Sequence, residues 1–231
     1  MFAPLYPHLY RVLAPLFPDC LWSAHPEQPL VCLSFDDGPH PQYTPQLLEV
    51  LDRVGVTASF FWLGAAVRRY PEIARQVFQR GHWLGLHGET HRAFPRLSSQ
   101  ELQMSLTATQ GAIASACDRP LDWVKTHVRD VRPPNGLFTP KTLHLLKSWQ
   151  YRPVMWSVVP EDWRCPGVER VCDRIMKQVK PGSLIVLHDG YYGGQDVAQT
   201  TLTIVEQLRT KSYRFVNIQE LWHLKSGLQS G

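Results

Sequence analysis

Two aspartates stand side by side in Ser34-Phe35-Asp36-Asp37-Gly38-Pro39, and two histidines stand four residues apart in His87-Gly88-Glu89-Thr90-His91. Adjacent carboxylates followed by Gly-Pro cannot both point the same way, so they offer one group to each of two jobs, a metal ligand beside a general base. The i, i+4 histidine spacing brings two imidazoles onto one metal when the segment is a helix or a tight loop. Taken singly, each feature has an ordinary reading: a turn with Asx hydrogen bonds, two unrelated histidines, a structural ion-pair arginine at 132, a strand-closing histidine at 188. Taken together, one carboxylate and two imidazoles make a three-ligand site with open positions for water and substrate. A divalent ion there lowers the pKa of its water from about 16 toward about 7, and the second carboxylate takes the proton during attack. His188 is then available as a general acid toward a leaving group, and the Arg132 guanidinium would pair with Asp36 and orient it.

These residues need elements that bring them to one face. Short β-branched and aromatic runs alternate with longer stretches of helical period, the pattern of a βα-repeat fold with a parallel sheet. Strands are expected at residues 30–35, 57–63, 82–86, 129–132, 151–158, 183–188 and 213–216. Helices fill the intervals at about 42–54, 65–79, from 98 onward, 140–149, 168–179 and 197–210. Ser98 with Glu101 three residues on reads as a capping box. A closed or partly closed barrel of parallel strands is the natural architecture, and such barrels place chemistry at the C-terminal ends of their strands. The polar strings fall there: after the first, third, fourth and sixth strands, and at Pro160-Glu161-Asp162-Trp163 after the fifth.

Composition narrows the function classes. The chain has 231 residues, 44% hydrophobic and 19% charged, enough apolar side chain for one sizeable core and too much for disorder. The net charge of +4 is dispersed, with no basic stripe interleaved with aromatics, which argues against nucleic-acid binding. Five cysteines with no CxxC spacing argue against a disulfide framework and a thiolate zinc site. Residues 1–28 are apolar but interrupted by Pro4, Pro7, Pro15 and Pro18. They read as a short helix around residues 8–14 packed on the domain, or as a peripheral membrane contact, and not as a spanning or signal segment. The expected location is therefore cytoplasmic or peripheral to the membrane. One domain is expected over residues 29–224, with a C-terminal tail at 225–231.

In this order and on alternate strand ends, the polar strings resemble the five motifs of the polysaccharide deacetylase family (NodB-homology domain, carbohydrate esterase family 4). Residues 34–39 match [ST]-F-D-D-G-P, 87–91 match H-x-x-x-H, 132–136 match R-x-P-x-G, 161–163 match the end of D-x-x-D-W, and Leu187-His188 matches the closing L-x-H. The resemblance spans roughly residues 29–222. It implies an α/β fold, a distorted (β/α) barrel of seven or eight parallel strands, and a metal-dependent hydrolase removing N-acetyl, or O-acetyl, groups from an oligo- or polysaccharide. It implies Asp36 as base, Asp37, His87 and His91 as ligands of one divalent ion (zinc, with cobalt or nickel as alternatives), His188 as acid and Arg132 as the residue orienting the base. Pro134, Asn135, Asp162, Trp163, Leu187 and Tyr191 are expected to face substrate, with the Asn135 backbone N–H near the oxyanion, Trp163 and Leu187 lining an acetyl slot, and Trp156, Tyr191 and Tyr192 offering stacking faces.

Three positions depart from the family pattern. Gly88 replaces a Ser or Thr that braces the histidine loop, leaving Glu89 or Thr90 to do so. Asn135 replaces an aromatic residue. Val159 stands where the first Asp of D-x-x-D-W tunes the acid, so His188 is expected to have a lower pKa than is usual in the family unless Asp162 or Asp189 takes over. The competing readings are a catalytically silent carbohydrate-binding homologue and an iron oxygenase using a two-His, one-carboxylate triad.

Overall fold

In the computed structural model, which describes residues 6–227, seven strands form one curled, wholly parallel sheet. They are β1 (Leu30–Asp36), β2 (Ser59–Trp62), β3 (Trp83–Leu86), β4 (Asp130–Val131), β5 (Arg152–Pro153), β6 (Ser183–His188) and β7 (Arg214–Val216). Their order is β5-β4-β3-β2-β1-β6, with β7 paired to the first three residues of β1. All seven lie where the alternation of apolar runs predicts; no eighth is present among the described residues. The helices are α1 (Tyr6–Leu16), α2 (Tyr43–Val54), α3 (Gly64–Arg69), α4 (Pro71–Gln79), α5 (Ser99–Ala116), α6 (Leu121–His127), α7 (Pro140–Ser148), α8 (Val168–Gln178), α9 (Val197–Thr210) and α10 (Ile218–Lys225).

The pleat decides which residues reach the site. On β1, Val31, Leu33 and Phe35 enter the main core with Leu47, Leu48 and Leu51 of α2 and Ile204, Val205 and Leu208 of α9. Residues of the opposite parity, Leu30 and Cys32, enter a second cluster inside the curl with Phe61 and Leu184. Asp36 shares their parity, and the register pairs it with Phe61 on β2 and His188 on β6. The C-terminal ends of β2, β1 and β6 therefore lie side by side on one rim.

Several details differ from expectation. The helix expected at 65–79 is two, because Pro71 cannot donate into a continuous ladder and starts α4 at its N1 position. Helices α6 and α10 have no counterpart among the expected elements; both are short, and α10 is set by an Asn217 to Glu220 capping box. The run 151–158 pairs as a strand only at β5, after which Val154 and Val158 form single bridges to Leu21 and Ile185. The Ser98 capping box forms as read, with Glu101 N–H donating to Ser98 Oγ and Ser98 N–H to Glu101.

The seam between β5 and β6 is crossed by the Val158 bridge and by the N-terminal segment. Leu21 pairs with Val154 and Ser23 with Ser183. Cys20, Leu21, Trp22 and Ala24 are buried, and burying Leu21 alone contributes about 2 kcal/mol. From the other terminus, Lys225 donates to the Pro18 carbonyl and, at 2.6 Å, to that of Cys20. Residues 1–5 of the expected N-terminal segment and 228–231 of the expected tail lie outside the described residues. No helix among the described residues is long and apolar enough to cross a membrane.

Candidate active site

At the rim formed by the strand ends lies a cavity of about 320 Å³. It is lined by Asp36, Asp37, His87, His91, Arg132 and His188 on its polar side and by Trp156, Val159, Trp163 and Val186 on its apolar side. Asn135 and Tyr192 complete the mouth.

Strand β1 ends at Asp36, and Asp37 takes a left-handed conformation (φ 75°), so the two carboxylates diverge as their sequence predicts. Asp37 Oδ1 lies 3.5 Å from His87 Nε2 and 3.5 Å from His91 Nε2. That oxygen is buried and accepts no hydrogen bond. The tautomer of His87 is fixed by its other nitrogen: Nδ1 sits 2.7 Å from the Arg132 carbonyl, which only accepts, so Nδ1 carries the proton and Nε2 presents a lone pair. Burial, outweighing the nearby Asp36 and Asp37 charges, lowers the His87 pKa and keeps the ring neutral. A donorless buried carboxylate oxygen facing two imidazole nitrogens, all within 4.8 Å of one another, is a donor set that fits a divalent cation. Asp37→Ala is expected to weaken cobalt binding at least about 100-fold, read from the visible spectrum on titration, with the fold unchanged.

Asp36 is held separately. Arg132, 1% exposed, donates from Nη1 to Asp36 Oδ1 at 2.5 Å and from Nη2 to the Met155 carbonyl at 2.9 Å. Its guanidinium also lies over the Phe61 ring, 4.0 Å from the centroid. This leaves Asp36 Oδ2 turned toward the Asp37, His87 and His91 cluster, 3.9 Å from His87 Nε2.

His188 is held by Asp162. Its Nδ1 is 2.9 Å from Asp162 Oδ1, and its backbone N–H donates to Asp162 Oδ2 at 2.7 Å. Burial alone would lower the imidazole pKa, but the Asp162 charge and hydrogen bond, assisted by Asp37 and Asp36, reverse the shift and raise it to about 9. Of the two alternatives to a lowered His188 pKa that Val159 leaves, the Asp162 one is realised: Asp162, the second carboxylate of the motif, supports His188. Asp189 does not share this task. Its Oδ2 accepts from Thr44 Oγ1 at 2.5 Å, and burial, the largest influence, pushes its pKa up to about 7.

Of the residues expected to face substrate, Asn135 and Trp163 line the cavity; Pro134, Asp162, Leu187 and Tyr191 do not. Asp162 is turned beneath His188. Leu187, fully buried, points into the outer core because the pleat of β6 places Val186 and His188 on the cavity side, so Val186 occupies the position assigned to Leu187. Pro134 is buried within its turn, and Tyr191, 74% exposed, packs edge-on against His40. Sequence reasoning missed Val159 and Val186 as lining residues; an L-x-H spacing counted back from His188 places its first residue at 186, a Val here, so the match read at Leu187 is off by one.

The departures at 88 and 135 have local explanations. Gly88 has φ 90°, and its loop is held by α3, whose Gly64 and Ala65 N–H groups donate to the Gly88 and Glu89 carbonyls. Glu89 adds a backbone donation to Ser105 Oγ and an ion pair with Arg68. Asn135 (φ 56°) and Gly136 (φ 63°) are consecutive left-handed residues. The turns around them are closed by the Gly136 and Leu137 N–H groups on Pro133 and Pro134, and the Asn135 N–H takes no part in them.

The curled parallel sheet and its helices present at one rim a two-His, one-Asp cluster that could hold a metal, beside a second carboxylate and a histidine of raised pKa. The sequence pattern of the polysaccharide deacetylase family matches residues 23–154, and the chain belongs to that family. It is a hydrolase of the kind that acts on non-peptide carbon–nitrogen bonds. It is 32% identical to a peptidoglycan-N-acetylglucosamine deacetylase of Bacillus cereus over 88% of this chain and 93% of that one. It is 35% identical to a chitooligosaccharide deacetylase of Bradyrhizobium over 82% and 84%. Among solved structures, a peptidoglycan N-acetylglucosamine deacetylase in complex with 4-naphthalen-1-yl-N-oxidanyl-benzamide superposes with a TM-score of 0.81 at 25% identity, covering 88% of this chain and 92% of that one.

Proposed function

We propose that this protein removes N-acetyl groups from an N-acetylglucosamine-containing saccharide, with one divalent ion, zinc in the first instance, held by Asp37, His87 and His91. The observation that carries this reading is the buried, donorless Asp37 oxygen facing two imidazole nitrogens, with Asp36 and His188 on either side of it. When bound, such an ion activates water and polarises the acyl oxygen. The chain's own residues do the rest. Asp36, fixed through Oδ1 by Arg132, accepts the water proton at Oδ2. The Asn135 N–H adds a donor for the oxyanion. His188 gives a proton from Nε2 to the departing nitrogen, since Nδ1 is committed to Asp162.

The state of His188 supports an amide over an ester. An amine leaves only when protonated, and a histidine raised to about 9 keeps that proton through neutral pH. Val159, Val186 and Trp163 supply the apolar contact for the acetyl methyl. A silent binding homologue would need neither the Arg132 clamp on Asp36 nor the Asp162 support of His188. The test is acetate release from N-acetylglucosamine oligomers, peptidoglycan and acetylxylan after chelation and reloading with zinc, cobalt or nickel. Release from the first two, lost on chelation and restored by metal, is expected; metal-loaded protein releasing none favours the binding reading.

A further inference from the structure

The apolar wall of the cavity is continuous with the N-terminal segment. Trp156, Val159 and Val186 belong to one buried cluster with Cys20, Trp22, Leu143 and Met155, against which Phe17, Phe138 and Trp163 pack. Within it, Trp22 is 4% exposed. Its ring lies 6.2 Å from that of Trp156 and 6.3 Å from that of Phe138, and its indole N–H donates to the Phe17 carbonyl at 3.1 Å. Trp156 in turn fills the space where position 136 lacks a side chain: a Cβ on Gly136 would fall 1.6 Å from the Trp156 ring. Trp22, Trp156 and the Asn135–Gly136 turn therefore form one packed series ending at the cavity. The backbone runs parallel to it. Leu21 donates to the Pro153 carbonyl and accepts from Met155 N–H, and the Met155 carbonyl anchors Arg132. Trp22 lies just before residue 23, where the family pattern begins.

We propose that Trp22 is a positioning residue that sets the acyl-group selectivity of the site by fixing Trp156, and with it the depth of the apolar wall beside Val159 and Val186. This rests on the deacylase reading above. A packed wall cannot yield by one methylene without displacing its neighbours. Loss of the indole behind Trp156 lets the wall recede, so a small acyl group loses contact while a larger one gains room. One methylene in an apolar pocket is worth about 10–200-fold in discrimination, which makes the ratio of two acyl substrates a sensitive readout.

The experiment compares kcat/KM for N-acetyl- and N-propionylglucosamine oligomers in wild type, Trp22→Ala and Trp22→Phe, each matched for bound metal. Trp22→Ala is expected to lower the acetyl value about tenfold or more and the acetyl-to-propionyl ratio at least about fivefold. Trp22→Phe, which keeps an aromatic filler, should return that ratio to within about twofold of wild type. A merely structural loss would lower both substrates together; a ratio unchanged in Trp22→Ala overturns the proposal. Where Trp22→Ala does not fold, Trp22→Leu carries the same comparison. Calorimetric Kd values for acetate and propionate separate this inference from the functional reading. If wild type releases neither acyl group, that reading fails, while a shift of carboxylate preference in the variant still supports the role of Trp22 and an unshifted one removes it.

Discussion

Asp36→Asn is expected to lower turnover by about 10²–10⁴ while leaving one equivalent of metal bound. The separation follows from the geometry. The cluster that could hold the metal is Asp37, His87 and His91, whereas Asp36 is the last residue of β1, with Oδ1 given to Arg132. An amide at position 36 keeps an acceptor for the guanidinium but cannot take a proton from water. It also leaves the buried Arg132 charge without a counter-ion, which costs about 3 kcal/mol, so activity is referred to folded, metal-loaded protein measured by circular dichroism and metal analysis. Turnover within about threefold of wild type would remove Asp36 from the role of base.

The second large effect is on pH dependence. His188 must be protonated to serve as acid, and its pKa of about 9 places the alkaline loss of kcat/KM near that value. Asp162→Asn keeps one acceptor for the imidazole but removes the charge and sets a donor against the His188 backbone N–H. The pKa then falls to the ordinary histidine value, about 6.5, or below it, because burial alone pushes downward. The sign is unambiguous: activity is retained on the acid side of the imidazole pKa and lost above it, so the alkaline limb moves to lower pH. At about pH 8 the protonated fraction drops from about nine-tenths to about three-hundredths, an approximately thirty-fold loss. An alkaline limb that stays in place would mean that Asp162 does not govern His188.

Asp162 also shows where sequence reading succeeds and where it stops. The pairing of Asp36 with Asp37 and the spacing of His87 and His91 are local signals, and the turn after β1 and the loop after β3 carry them into space unchanged. The strand pattern is equally local, since each buried strand is a short apolar run between helical stretches. What failed depended on orientation or on distant contacts. A pleat reverses the facing of neighbouring residues, so an assignment to Leu187 instead of Val186 crosses from the cavity to the outer core. Asp162 faces His188 from a turn that Glu161 enters in a left-handed conformation, which no single residue type announces. The pairing of Leu21 with Val154 joins residues more than a hundred positions apart, and an apolar N-terminal segment reads the same whether it packs on a barrel seam or elsewhere.

In the proposed function, the converging donors of Asp37, His87 and His91, the clamped Asp36 and the Asp162-supported His188 together hydrolyse an acylated amine. The most direct measurement is simultaneous quantification of acetate and free amine from an N-acetylglucosamine oligomer incubated with stoichiometrically metal-loaded wild-type protein, with Asp36→Asn in parallel. Equimolar acetate and amine from wild type, and background release from the variant, is the predicted result. Full metal occupancy with neither product formed at about pH 7, well below the raised pKa of His188, would contradict it.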